Sequence, residues 1–153
     1  FRDAFAAAKR ANKADLANYL GERGANVDPD AMFDVQIKRM HEYKRQHLNI
    51  LEAIAHWQEI KDTPGAGWTP RVKIFAGKAA PGYAFAKDII RLINDVSAVL
   101  NGDPETREAL QVVFLPNYND GIGPVAADHI HVKASNHSIN RYRRVLDEIP
   151  TPP

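Results

Sequence analysis

The sequence predicts an α/β fold in which a parallel sheet is joined by crossover helices. Three observations carry this. Residues 32–37 (MFDVQI), 71–75 (RVKIF) and 111–115 (QVVFL) are strand-length runs, the latter two reading as buried strands. Between them lie two stretches long enough for helices, 39–61 and 83–100. Strands that alternate with helices in this way build a parallel sheet with its faces covered.

The elements follow in order. Residues 1–22 are alanine-rich and favour a helix, with Phe1, Phe5, Ala8, Leu16, Tyr19 and Leu20 on one side and Gly24 as its C-terminal cap. Asp28-Pro29-Asp30 makes a turn into the first strand. The helix at 39–61 carries Met40, Leu48, Leu51, Ile54, Ala55 and Trp57 as its apolar positions, and Thr63-Pro64-Gly65-Ala66-Gly67 breaks it. After the second strand, Gly77-Lys78-Ala79-Ala80-Pro81-Gly82 makes a tight loop, with Pro81 suited to a helix's first turn. The helix at 83–100 has a strong apolar face of Phe85, Ile89, Leu92, Ile93, Val96, Val99 and Leu100. Asn101-Gly102-Asp103-Pro104 ends it, and Asp103 is placed to cap a short helix reaching Leu110. Beyond Asn119 the composition changes: residues 120–153 hold three of the six histidines and end in a proline-rich tail. There 129–132 alternates like an exposed strand and 140–149 suits a basic helix. The expected division is therefore 1–119 and 120–153.

Bulk properties narrow the function. A chain of 153 residues suits one domain able to bury roughly two-thirds of its unfolded surface. Its 20 basic and 19 acidic side chains leave no global field to attract nucleic acid or a membrane surface, so any anion recognition must be local. The absence of cysteine rules out disulfides and thiolate metal sites and fits a cytoplasmic protein. No apolar run approaches the roughly 18–20 residues of a membrane span. The first residue is Phe1 and not Met, which predicts a piece of a longer protein.

One local cluster stands out. Lys38-Arg39-Met40-His41-Glu42-Tyr43-Lys44-Arg45 holds two lysines, two arginines and a histidine against a single carboxylate. On a helical wheel Lys44 falls with Leu48, Leu51 and Ala55, which aims an ammonium at an apolar face, where it is costly without a partner. Phosphate resolves that cost: Arg39 suits a bidentate grip and Lys44 a compact charge, aided by helix N-terminal amides. The competing reading is a solvated basic face with snorkelling side chains. The loop at 77–82 lacks the spacing and Lys-Ser/Thr pair of a phosphate-binding Walker motif, and its glycines are most simply explained by a tight turn. His129, His131 and His137 lack the carboxylate spacing of a metal site. Tyr118, just beyond a buried strand, suits either stacking on a flat ligand or ordinary packing.

FDVQIKRMHEYKRQ, GKAAPGYAFAK and VVFLPNYN, in this order and spacing, resemble the alpha-glucan phosphorylases (glycogen, starch and maltodextrin phosphorylase). The resemblance runs through 1–119, and 120–153 depart from it. It implies a partial, Rossmann-like domain of a two-Rossmann-domain glycosyltransferase fold that cleaves a terminal α-1,4 glucan bond with inorganic phosphate and yields glucose 1-phosphate. It also implies pyridoxal phosphate, used through its 5′-phosphate. Residues matching Arg39 and Lys44 hold the substrate phosphate in that family, and the match to Lys38 anchors the cofactor phosphate. Tyr43 matches a tyrosine near that cluster and Tyr118 a residue beside the cofactor ring. The family's G-T-G-N-M-K segment, whose lysine binds the cofactor covalently, has no counterpart here. The expectation is thus a fragment that is inactive alone, with inorganic phosphate and alpha-glucan as partners of the parent enzyme. The alternative is a non-catalytic anion-binding module that forms homo-oligomers through exposed apolar faces.

Overall fold

The computed structural model describes residues 1–116. In chain order it contains helix α1 (Arg2–Gly21), strand β1 (Met32–Ile37), a 3-10 turn (Glu42–Lys44), helix α2 (Gln46–Asp62), strand β2 (Arg71–Gly77), helix α3 (Ala84–Gly102) and strand β3 (Leu110–Pro116). The strands form a parallel sheet in the order β1-β2-β3, with Asp34 opposite Lys73 and Lys73 opposite Val112. Consecutive parallel neighbours joined by helices make one βαβαβ half of a Rossmann-like domain.

Strand alternation divides the interior into two layers. On one face, Val35, Val72, Ile74, Ala76, Val113 and Leu115 pack with Leu16 and Leu20 of α1. On the other, Phe75, Leu110 and Val112 pack with Ile50, Ala53 and Ile60 of α2 and Ile89, Ile93, Val96 and Leu100 of α3. Helix α1 docks by its C-terminal half; Phe1 and Phe5, expected on the buried stripe, are exposed and face each other at 6.3 Å. Its end follows the predicted cap. Gly24 takes φ +86°, and the N–H groups of Gly24 and Ala25 reach the carbonyls of Gly21 and Leu20, each at 3.0 Å.

Helix α2 departs most from expectation. It begins at Gln46, not at 39, because the preceding residues are drawn across the neighbouring strand end: Lys38 N–H bonds Ala76 O (3.0 Å) and Met40 N–H bonds Lys78 O (3.2 Å). Its buried face is Gln46, Ile50, Glu52, Ala53, His56 and Ile60, while Leu48, Leu51, Ile54 and Ala55 are half-buried. Helix α3 matches its predicted stripe at Ile89, Ile93, Val96 and Leu100, but Phe85 and Val99 point outward and Ala86 inward. The short helix expected after Asp103 is a series of turns, in which Asp103 Oδ1 accepts from Glu105 N–H at 3.0 Å. Its other oxygen accepts from Trp57 Nε1 (2.9 Å) and Lys61 Nζ (3.2 Å), tying the turns to α2. The expected strand and helix at 129–132 and 140–149 lie outside the described residues.

Candidate functional site

Parallel strands send their loops to one edge, and the basic cluster lies there, at the carboxyl end of β1. Gly77 fixes its height. A Cβ at this position would stand 2.5 Å from Lys38 O and 2.9 Å from Met40 Cε. The glycine is therefore required by close approach of the β1 loop and not by a turn. The turn comes later, where Tyr83 N–H bonds Ala80 O at 3.0 Å across Pro81 and Gly82, ahead of α3.

Within the loop, Lys38, Arg39 and Tyr43 are exposed and Lys44 is half-buried. Lys44 belongs to the 3-10 turn, so the helical wheel that aimed it at the apolar face of α2 does not apply. Its ammonium folds back onto Arg39 O at 2.9 Å and lies 5.4 Å from the centre of the Tyr43 ring. Arg39 O also accepts from Nε2 of the fully buried Gln46 (3.2 Å), whose Oε1 takes the His41 N–H at 3.4 Å. These bonds bring Arg39 and Lys44 together through the backbone of one and the side chain of the other. Arg45, next in the chain, holds a left-handed φ of 58°. Tyr118 lies outside the described residues.

Among the described residues, Lys38, Arg39, Lys44 and Arg45 make no ion pair, whereas Arg10, Lys61, Arg71 and Lys73 each do. The loop thus presents unneutralised cations on a backbone held from beneath. That donor chemistry, one guanidinium and two ammonium groups in the positions 38, 39 and 44, fits phosphate oxygens.

The structure adds residues that sequence reasoning missed. Tyr83, from the β2 loop, receives the Glu42 N–H on its hydroxyl (3.4 Å), and its ring meets His41 edge-on at 5.3 Å. His41 in turn lies 4.3 Å from Tyr43 and accepts the Tyr43 N–H at Nδ1 (3.4 Å). Loss of water around the Tyr83 hydroxyl, with Glu42 beside it, holds its pKa above the usual tyrosine value, so it stays neutral. Beneath the loop, Lys73 is fully buried in the central strand and paired with Glu52 and with Asp34 (3.0 Å), while Arg71 reaches Glu52 at 3.3 Å. The signal for it was visible in RVKIF, where a lysine interrupts a buried strand. Among the described residues no group of three or more His, Asp or Glu could hold a metal ion, and no helix is long and apolar enough to cross a membrane. His129, His131 and His137 lie outside those residues.

The fold and this rim define the chain as half of a Rossmann-like α/β domain with an electropositive strand-end loop. The chain belongs to the carbohydrate phosphorylase family, whose model matches residues 1–132. It is 52% identical to the glycogen phosphorylase of Synechocystis over 124 residues, which are 80% of this chain and 15% of that protein. It is also 52% identical to the glycogen phosphorylase of Haemophilus influenzae over 120 residues, 78% of this chain and 15% of the relative. Against the alpha-glucan phosphorylase H isozyme of Vicia faba the identity is 48% over 122 residues, 77% and 14% of the two chains. The chain therefore corresponds to a segment of these glycosyltransferases and spans about 15% of the length of the curated relatives it matches.

Proposed function

We propose that this chain forms the phosphate-holding part of an alpha-glucan phosphorylase acting in the cytoplasm, which uses inorganic phosphate to release glucose 1-phosphate from terminal α-1,4 bonds. The observation that carries this reading is the loop from Lys38 to Arg45, four fixed positive charges without an ion pair among the described residues. Arg39 and Lys44 hold the substrate phosphate, the first by its planar fork and the second by its compact charge. Lys38 anchors the phosphate of pyridoxal phosphate, with Tyr43 beside the cluster and Tyr118 beside the cofactor ring. Pyridoxal phosphate, when bound, supplies proton transfer through its 5′-phosphate. The cations of the loop offset the repulsion between phosphates held side by side, which is electrostatic stabilisation by groups already in place.

Titration of the chain with inorganic phosphate tests this. Arg39→Ala and Lys44→Ala should each weaken binding about ten- to hundredfold, the worth of a hydrogen bond to a charged group at roughly 1.5–3 kcal/mol. Lys9→Ala, on α1 across the sheet, should change nothing. Phosphate binding that survives both loop substitutions overturns the assignment. Turnover belongs to the longer polypeptide, so the 153-residue chain should release no glucose 1-phosphate from glycogen, and detectable release contradicts that.

The exposed Phe1 and Phe5 favour a second reading, a self-associating anion-binding module without catalysis. Sedimentation of the chain as a monomer at all concentrations removes it.

A further inference from the structure

The buried polar groups between the sheet and α2 do not form a closed knot. They lead outward to the cation loop. Lys73 Nζ donates to Asp34 Oδ2, to Glu52 and to Asn49 Oδ1 (2.6 Å), which uses all three of its N–H donors. An ammonium has no acceptor, so Asn49 must turn its oxygen toward Lys73 and its NH2 group away. That NH2 meets Gln36 Oε1 at 2.9 Å, so Gln36 must in turn present its own NH2 outward. It does so to Lys44 O, at 2.9 Å. The lysine charge therefore sets the direction of two successive side-chain amides, and the last donor grips the backbone of the residue whose ammonium caps Arg39 O.

We propose that Lys73, Asn49 and Gln36 form a directional hydrogen-bond relay that positions the cation loop by its Lys44 carbonyl. Gln36 and Asn49 are then positioning residues for anion binding, an assignment that rests on the reading of the loop as a phosphate site. The alternative role for these side chains is filling space, and the two roles separate by polarity. Gln36→Glu keeps the shape but, once ionised, offers only acceptors to Lys44 O. Gln36→Met keeps the volume and offers neither donor nor acceptor. Asn49→Leu breaks the relay one link away from the loop.

Limited trypsin digestion reads the loop directly, because Lys38, Arg39, Lys44 and Arg45 are all cleavage points. Gln36→Glu, Gln36→Met and Asn49→Leu should each raise the cleavage rate in this loop about five- to tenfold, the factor that one net hydrogen bond is worth, while the circular dichroism of the folded chain is retained. Phosphate affinity should fall by a similar factor, and Gln36→Met/Asn49→Leu should lose no more than either single variant, since the links act in series. Unchanged cleavage in folded Gln36→Met and Gln36→Glu overturns the relay. If any variant fails to fold, the wild-type chain still decides: the side-chain NH2 protons of Gln36 and Asn49 should exchange slowly with solvent, and fast exchange of both refutes the proposal. Accelerated cleavage together with no phosphate binding by the wild type would instead refute the phosphate reading and leave the relay standing.

Discussion

Gly77→Ala tests whether the height of the cation loop is set by the strand end beneath it. The added methyl carbon would stand 2.5 Å from Lys38 O, where carbon–oxygen contacts are normally about 3.3 Å or longer, an overlap of about 0.8 Å. Met40 Cε, at 2.9 Å, can swing aside. The Lys38 carbonyl cannot, because Lys38 N–H and Met40 N–H are tied to Ala76 O and Lys78 O on either side of the glycine. Relief requires the whole loop to lift and stretch those two bonds. Overpacking of this kind costs about 1–3 kcal/mol, which at an m-value of about 2 kcal/mol/M lowers the urea midpoint by about 0.5–1.5 M. Phosphate affinity should fall as well, by about tenfold, because Arg39 and Lys44 ride on the displaced backbone. Gly82→Ala is the matched control: nothing lies within 4 Å of its Cβ, and its φ is not left-handed. It should be neutral or stabilise by up to about 1 kcal/mol through the unfolded chain. A Gly77→Ala protein with the wild-type urea midpoint and phosphate affinity would refute the close-approach argument.

Two further outcomes are expected from the buried charges. Lys73→Met removes the ammonium that pairs with both Asp34 and Glu52 and should cost about 3–5 kcal/mol in urea unfolding, whereas Lys73→Met/Glu52→Gln restores the charge balance and should cost clearly less than the two single changes added; strict additivity would refute the coupling. Burial pushes the Glu52 carboxyl up, but Lys73, Arg71 and His56 outweigh it and hold its pKa below the ordinary 4.5, so the unfolded chain takes up its proton first. The stability it contributes is full above pH 4.5 and lost as pH falls through the lowered folded value, and an unfolding midpoint that shows less acid loss in wild type than in Glu52→Gln would contradict this.

The strands and α3 were legible because their information is local: apolar runs of the right length, and one stripe at helical spacing. Helix α2 was less so for two physical reasons. It has aliphatic residues all round, with Leu48, Leu51 and Ile54 competing against Ile50, Ala53 and Ile60, so a wheel cannot choose the buried side. The choice is made by Glu52, which is buried because Lys73 and Arg71 meet it from a strand some twenty residues away. The helix start was equally invisible, since residues 38–45 contain nothing that forbids a helix; what unwinds them is the backbone of Ala76 and Lys78. At the site, residue types were legible and their placement was not. Lys38, Arg39 and Lys44 were singled out by charge density, but Tyr83, Gln36, Gln46 and Asn49 act through tertiary hydrogen bonds that no helical or strand periodicity records.

These bonds explain how a run of like charges with a single acid, Glu42, is held in one place while its cations make no ion pair among the described residues. Bringing four cations together costs repulsion, and carboxylates interspersed among them would remove that cost while also removing their use toward an anion. The loop carries only one, Glu42, and splits the work between backbone and side chain. Its carbonyls at Arg39 and Lys44 are gripped from below by Gln46 and Gln36, and its N–H groups at Lys38, Met40 and Glu42 are taken by Ala76, Lys78 and Tyr83. None of those partners is an acid. Apart from Glu42, the neighbouring acids Glu52 and Asp34 lie one layer deeper, where Lys73 and Arg71 pair with them and amide dipoles lead toward the loop. On the proposed reading, a phosphate at this edge meets cations that make no ion pair among the described residues, which is the condition under which electrostatic attraction converts most fully into binding.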